Sequence, residues 1–288
     1  MRLSVLILAG YLSVASITNA ETKYIDDAKF LKSLTENVTK LKDDGKLKAS
    51  KDLLAAYKGG KAQVELSKPA STKMDQSTMY DSLNKKVLVH CNSFKCGKCS
   101  KLHVSCSTTY AIAKDVIVFN AHAINSTNEE YQAVSDSEGH VFPITKVLAI
   151  DKDDDIVIAK VANASFEPFA ITPDEPVGSP VVVISNPDNM FYVMTQGNIS
   201  RYYSYICDCG GKKCKRGRGS WMSITADYAK GSSGAPILSM NGSVVGMVSS
   251  TRSIYYNEDE GKHDNLQMVI KSCVPSSFIL KLIDNKAK

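Results

Sequence analysis

Beyond residue 20 the sequence has no apolar run long enough to span a bilayer, which excludes helical membrane crossings there. The excess of one charge sign is also small, with a formal net charge of +5. The single basic patch, Lys212, Lys213, Lys215, Arg216 and Arg218, has no interleaved aromatics on which bases could stack. It reads as a solvated loop, and nucleic-acid readout is not expected. No cysteine precedes Cys91, so no lipid-anchored cysteine follows the leader. Histidine is sparse as well, five in 288 residues, so each imidazole can be judged in its context.

The first twenty residues are not fold. Arg2 is a minimal basic start, residues 3–12 are apolar, and Thr18-Asn19-Ala20 is a small-residue cleavage site. This pattern predicts a secretory signal peptide cut before Glu21. Residues 21–77 then differ from the rest. They are Lys-rich and lack strand patterning. Phe30, Leu31, Leu34, Val38 and Leu41 recur at helical spacing, and Leu47, Leu53, Leu54 and Tyr57 suggest a second helix stopping at Gly59-Gly60. Packing on the remainder is the favoured role; a pro-segment over a cleft and an oligomerisation arm are the alternatives. Residues 67–77 read as a polar linker.

The richest stretch is Gly231-Ser232-Ser233-Gly234-Ala235-Pro236. A serine boxed by glycines in a tight loop aims its hydroxyl outward. The N–H groups of Gly231 and Ser233 can then converge beside it as an oxyanion hole. Alone this is also ordinary loop composition. It gains meaning from two upstream residues. The apolar run 116–119 reads as a buried strand that delivers His122 to its end. Asp155 opens another apolar strand, 156–161; Asp153 and Asp154 are its neighbours, but Asp155 adjoins the strand, where burial can hold it against an imidazole. A serine hydroxyl needs a base, and the base needs a carboxylate to fix its tautomer. His90, His103, His140 and His263 lack such a context and read as surface or structural, with a residual chance of metal binding at His103.

These contexts, in the order His, Asp, Ser, resemble the trypsin-like (chymotrypsin-fold) serine proteases, most closely the HtrA/DegP-type branch. The resemblance covers roughly residues 87–283. It includes the hairpin that presents His122, the strand Asp155-Ile156-Val157-Ile158-Ala159-Lys160-Val161, and the paired strands around residues 181–187 and 196–200. The serine loop and the following Asn241-Gly242-Ser243-Val244-Val245-Gly246 turn and strand complete it. The resemblance implies His122 as general base, Asp155 as its orienter and Ser233 as nucleophile, with Gly231 and Ser233 supplying the oxyanion N–H groups. It implies an exported serine endopeptidase acting on protein or peptide substrates through an acyl-enzyme, without cofactor. A non-catalytic or latent relative acting as a binding module is the competing class.

Short Val- and Ile-rich strands separated by Gly, Asn, Asp and Pro argue for an all-β barrel or sandwich. With the resemblance, the expected fold is two six-stranded antiparallel β-barrels with a small helical N-terminal segment. The protease domain is expected over residues 78–288, with one barrel over about 85–170, the other over about 180–275, and a helix over about 275–284. No C-terminal PDZ domain of the HtrA type is expected. Trypsin's acid for binding Lys or Arg corresponds in offset to Asp227. Ser249 and Thr251 correspond to the cleft strand, where Thr251 would narrow the pocket toward small residues; these cues conflict. Eight cysteines in an exported chain read first as disulfides. Zinc at Cys91, Cys96, Cys99 and Cys106 is the second reading, on the knuckle spacing of Cys96 and Cys99.

Overall fold

The computed structural model describes residues 24–96, 98–99, 101–124, 130–205, 219–259 and 262–284. The expected signal segment, the basic patch and Cys207, Cys209 and Cys214 lie outside the described residues. Helices α1 (Asp27–Asp43) and α2 (Ser50–Ala55), the short strand β1 (Ala62–Gln63) and helix α3 (Gln76–Leu83) precede the barrels. Strands β2 (Val87–Lys95), β3 (Leu102–Ala113), β4 (Val116–Phe119), β5 (Tyr131–Ser135), β6 (Val141–Asp151) and β7 (Ile156–Val161) close the first barrel in the order β2-β3-β4-β7-β6-β5. Strands β8 (Pro180–Ser185), β9 (Val193–Tyr205), β10 (Gly219–Ile224), β11 (Pro236–Ser239), β12 (Val244–Asp259) and β13 (Lys262–Pro275) close the second, in the order β10-β13-β12-β11-β8-β9. Helix α4 (Ser276–Lys281) and strand β14 (Ile283–Asp284) follow. The double barrel expected from the sequence is the fold observed.

The strands read as continuous apolar runs because both faces are covered. Along β4, Ile117 and Phe119 point into the first barrel with Leu88, Ala111 and Val157. Val116 and Val118 face the opposite way, into a core shared with Leu34 and Val38 of α1 and with Val182, Ile184 and Met247 of the second barrel. Val183, Ile237, Val245 and Tyr228 fill the second barrel's interior. Period-two alternation thus sorts one strand between two cores.

Helix α1 is part of that fabric. Asp26 caps it by accepting from the Lys29 N–H at 2.9 Å. Leu34 and Val38 are fully buried in the shared core. The Phe191 N–H donates to Asp27 Oδ1 at 3.0 Å, and Phe30 meets the Phe191 ring edge-on with centroids 4.6 Å apart. Helix α3 and the parallel pairing of β1 with β14 were not foreseen in the sequence, the first because its apolar face is narrow, the second because it joins residues far apart in the chain. Among the described residues no helix is long and apolar enough to cross a membrane.

Among the described residues no disulfide is formed: Cys91, Cys96, Cys99, Cys106 and Cys273 are free. Cys273 lies in the second barrel's core against Tyr228, with no cysteine among that core's other residues. Cys91 and Cys106 face each other across β2 and β3, buried. Cys96 is five residues farther along the hairpin, roughly 16 Å in an extended strand. The four therefore cannot share one ion.

Candidate active site

The pairing of β4 with β7 brings the first two predicted residues together. Phe119 stands opposite Val157. Two residues further along this register Ala121 comes opposite Asp155, and the Ala121 N–H donates to Asp155 O at 3.2 Å. The Asn120 side-chain amide donates to the same carbonyl at 3.2 Å. His122 sits in the following 3₁₀ turn, residues Ala121–Ala123. Its backbone N–H donates to Asp155 Oδ1 at 2.9 Å, and its Nδ1 lies 2.9 Å from Oδ2. An ionised carboxylate accepts only, so Nδ1 carries the proton and Nε2 presents its lone pair. Asp155 adopts φ 58°, a left-handed conformation that aspartate tolerates better than most residues. Its side chain is 12% exposed, against 50% for His122.

Asp153 and Asp154 have other tasks. Both backbone N–H groups donate to Asp151 Oδ1 at 2.9 Å, closing the acidic turn. Burial, with the charge of Asp151 beside it, pushes the Asp154 carboxyl up to about 6.

The serine loop is fixed from both barrels. Gly231 has φ 96°, and a Cβ there would stand 2.4 Å from Asn186 O. Gly234 has φ 86°, and its Cβ would stand 2.1 Å from Thr108 O. Glycine is required at both positions by conformation and by close approach. Thr108, on β3 of the first barrel, grips the loop. Its N–H donates to Ser233 O at 2.9 Å and its hydroxyl to Gly231 O at 3.0 Å. That hydroxyl also accepts from Asn186 N and Nδ2, at 3.1 and 3.2 Å.

Two peptide planes matter for anion binding. Lys230 O accepts from the Asp188 N–H at 2.7 Å, and Ser232 O accepts from the Ala235 N–H at 3.0 Å. In a trans peptide the next N–H points opposite to the carbonyl. The N–H groups of Gly231 and Ser233 are thereby turned away from these contacts, and neither donates to an acceptor among the described residues.

The Ser233 hydroxyl donates to Ser249 O at 3.1 Å. No hydrogen bond joins it to His122 among the described residues. Ser249 also donates its own hydroxyl to Asp155 Oδ2 at 2.7 Å. One residue thus touches both the carboxylate and the serine, bringing His122, Asp155, Ser249 and Ser233 into a single hydrogen-bonded chain. Ser249, expected on the cleft strand, directs its side chain to the carboxylate.

Of the substrate-pocket candidates, Asp227 is turned outward. Its side chain is 85% exposed and pairs at 2.6 Å with Lys271, itself 11% exposed. Thr251 is exposed on β12. Tyr228, unremarked in the sequence, occupies the second barrel's interior and donates its hydroxyl toward Ser250 O and Ser272 O, each at 3.0 Å. Behind the histidine, His90 is buried, stacked on Phe119 with centroids 4.5 Å apart and with Nδ1 3.0 Å from Ser107 Oγ. Burial lowers its pKa to about 4. A separate groove of about 530 Å³, lined by residues including Val64, Asp115 and Lys160, lies at the opposite ends of β4 and β7 from His122 and Asp155.

Residues 106–247 match the trypsin-like peptidase domain family. No curated protein sequence matches the chain. Among solved structures, the chain is similar to the active form of the Rv3671c protease from M. tuberculosis, with a TM-score of 0.54 and 20% identity over 77% of this chain and 92% of that one. It is also similar to the inactive form of the Rv3671c protease, with a TM-score of 0.54 and 17% identity over 76% and 97%. At such identity the likeness speaks for the fold. The matched segment contains His122, Asp155 and the serine loop.

Proposed function

We propose that this protein is an exported serine endopeptidase in which Ser233, His122 and Asp155 cleave peptide bonds through an acyl-enzyme. The observation that carries the reading is the junction at Ser249, which touches Asp155 through its hydroxyl and Ser233 through its carbonyl. In this mechanism the Ser233 hydroxyl leaves Ser249 O for His122 Nε2 when substrate arrives. As Oγ bonds to the peptide carbon, its proton passes to Nε2. Asp155 holds the resulting imidazolium. The N–H groups of Gly231 and Ser233 receive the negative oxygen. The C–N bond then breaks, the amine leaves with the proton from His122, and water repeats the steps to release the acid. Residues 1–20 direct export in this reading.

Preference falls on a small residue before the scissile bond. Asp227, paired outward to Lys271, is not free to meet a basic side chain. Tyr228, the next residue, is packed in the second barrel's interior, and in this reading its ring limits the depth open to substrate.

Peptide-library cleavage by wild type and Ser233→Ala in parallel tests the assignment. Turnover should vanish in the variant while its unfolding midpoint stays close to that of wild type; retained turnover rejects it. The bond from Ser233 to Ser249 O, in place of one to His122, favours a second reading as a latent enzyme. Fluorophosphonate labelling separates the two. An active serine reacts rapidly in the intact chain, whereas a latent one reacts only after limited proteolysis.

A further inference from the structure

The turn between β2 and β3 gathers a second set of reactive side chains. Cys96 follows the end of β2, Cys99 sits on the turn, and His103 is the second residue of β3. Their donor atoms all lie within 4.8 Å of one another. Cys96 Sγ is 3.5 Å from Cys99 Sγ, and Cys99 Sγ is 3.1 Å from His103 Nε2. Around tetrahedral zinc with ordinary bond lengths, two sulfurs stand about 3.8 Å apart, and a sulfur and a nitrogen about 3.6 Å. The observed edges are shorter by about half an ångström or less, so side-chain rotation alone can open the triangle around an ion.

The surroundings favour such an ion. The Lys98 N–H donates to Cys96 Sγ at 3.4 Å, a contact that suits a thiolate. Phe94 pairs with His103 across the hairpin and stacks on it, with centroids 5.9 Å apart and planes at 29°. This steadies the imidazole with Nε2 toward Cys99. Two thiolates and an imidazole are soft to borderline donors, unlike the oxygen sets that Mg²⁺ and Ca²⁺ take.

We infer that Cys96, Cys99 and His103 form a zinc site at the tip of the β2–β3 hairpin, with water as the fourth ligand. Zn²⁺ binding sends the two thiol protons to solvent. The ion ties the end of β2 to the start of β3, the strand that carries Thr108 to the serine loop.

Full-length protein, purified with a phosphine reductant, is loaded with Zn²⁺, dialysed and assayed for metal. Co²⁺ substitution is read by sulfur-to-metal charge-transfer absorption. One ion per chain is expected in wild type and in a Cys207→Ser, Cys209→Ser, Cys214→Ser control. Zinc affinity should fall at least about tenfold in Cys96→Ser, in Cys99→Ser and in His103→Gln, no less than loss of an outer-shell partner costs. Unfolding curves recorded without metal check that these variants fold. Undiminished affinity in His103→Gln, no charge-transfer band in wild type, or binding lost only in the triple control overturns the proposal. A reductant-resistant Cys96–Cys99 disulfide that takes up no metal overturns it as well.

Discussion

Ser249 reaches from the second barrel to the first and donates its hydroxyl to Asp155 Oδ2 at 2.7 Å. The bond crosses the interface on which the proposed chemistry depends. Hydrogen bonds to a charged group contribute about 1.5–3 kcal/mol. Ser249→Ala is therefore expected to lower kcat by roughly 10- to 100-fold, with KM little changed because the loss concerns the carboxylate rather than substrate. Steady-state kinetics on a peptide substrate decides this. A pure KM effect would return Ser249 to the substrate-contacting role suggested by its place in the sequence.

Thr108 makes a different cross-barrel connection. Its hydroxyl joins Gly231 O to Asn186 N and Nδ2. Thr108→Val keeps the shape and strands these partners, so stability should fall by about 1–3 kcal/mol and kcat should fall as the oxyanion loop loosens. Thr108→Ser should recover both. Urea unfolding alongside kinetics checks the pair, and equal behaviour of the Val and Ser variants would exclude the hydroxyl as the cause.

Tyr228 sets pocket depth in the proposed enzyme. Tyr228→Ala should shift library cleavage toward larger residues before the scissile bond, at a stability cost of about 3–5 kcal/mol. Tyr228→Phe keeps the ring and removes the hydroxyl's bonds to Ser250 O and Ser272 O and its contact with Cys273 Sγ. It should retain the small-residue preference. An unchanged profile in Tyr228→Ala would place the pocket elsewhere.

His90 predicts how stability depends on pH. Its pKa falls from 6.5 to about 4 through burial. Between those values the unfolded chain binds a proton that the folded chain does not, so folding stability rises with pH across this window. The contribution is present above about 6.5 and is lost as pH drops toward 4, on the order of 3 kcal/mol in all. Denaturant midpoints measured along this range should slope less in His90→Phe than in wild type. Parallel slopes would show that His90 is not buried neutral.

The local patterns of the chain were enough to find the strands and to single out His122 and Asp155 at strand ends; the double barrel was expected from the resemblance to the trypsin-like proteases. Apolar runs specify buried strands, and residues at strand ends inherit their places from backbone pairing. The loop glycines were legible too, because their positive φ values and close contacts leave no space for a side chain. The partners of Thr108 and the hydroxyl direction of Ser249 were not legible. Both depend on how one barrel meets the other, across separations that no local pattern encodes. Whether Asp227 or Tyr228 points inward was likewise decided by the second barrel's core, where an aromatic ring gains from burial and an unpaired carboxylate does not. The same tertiary pairing divided the cysteines, setting Cys91 against Cys106 in the hairpin's interior and leaving Cys96 and Cys99 with His103 at its tip.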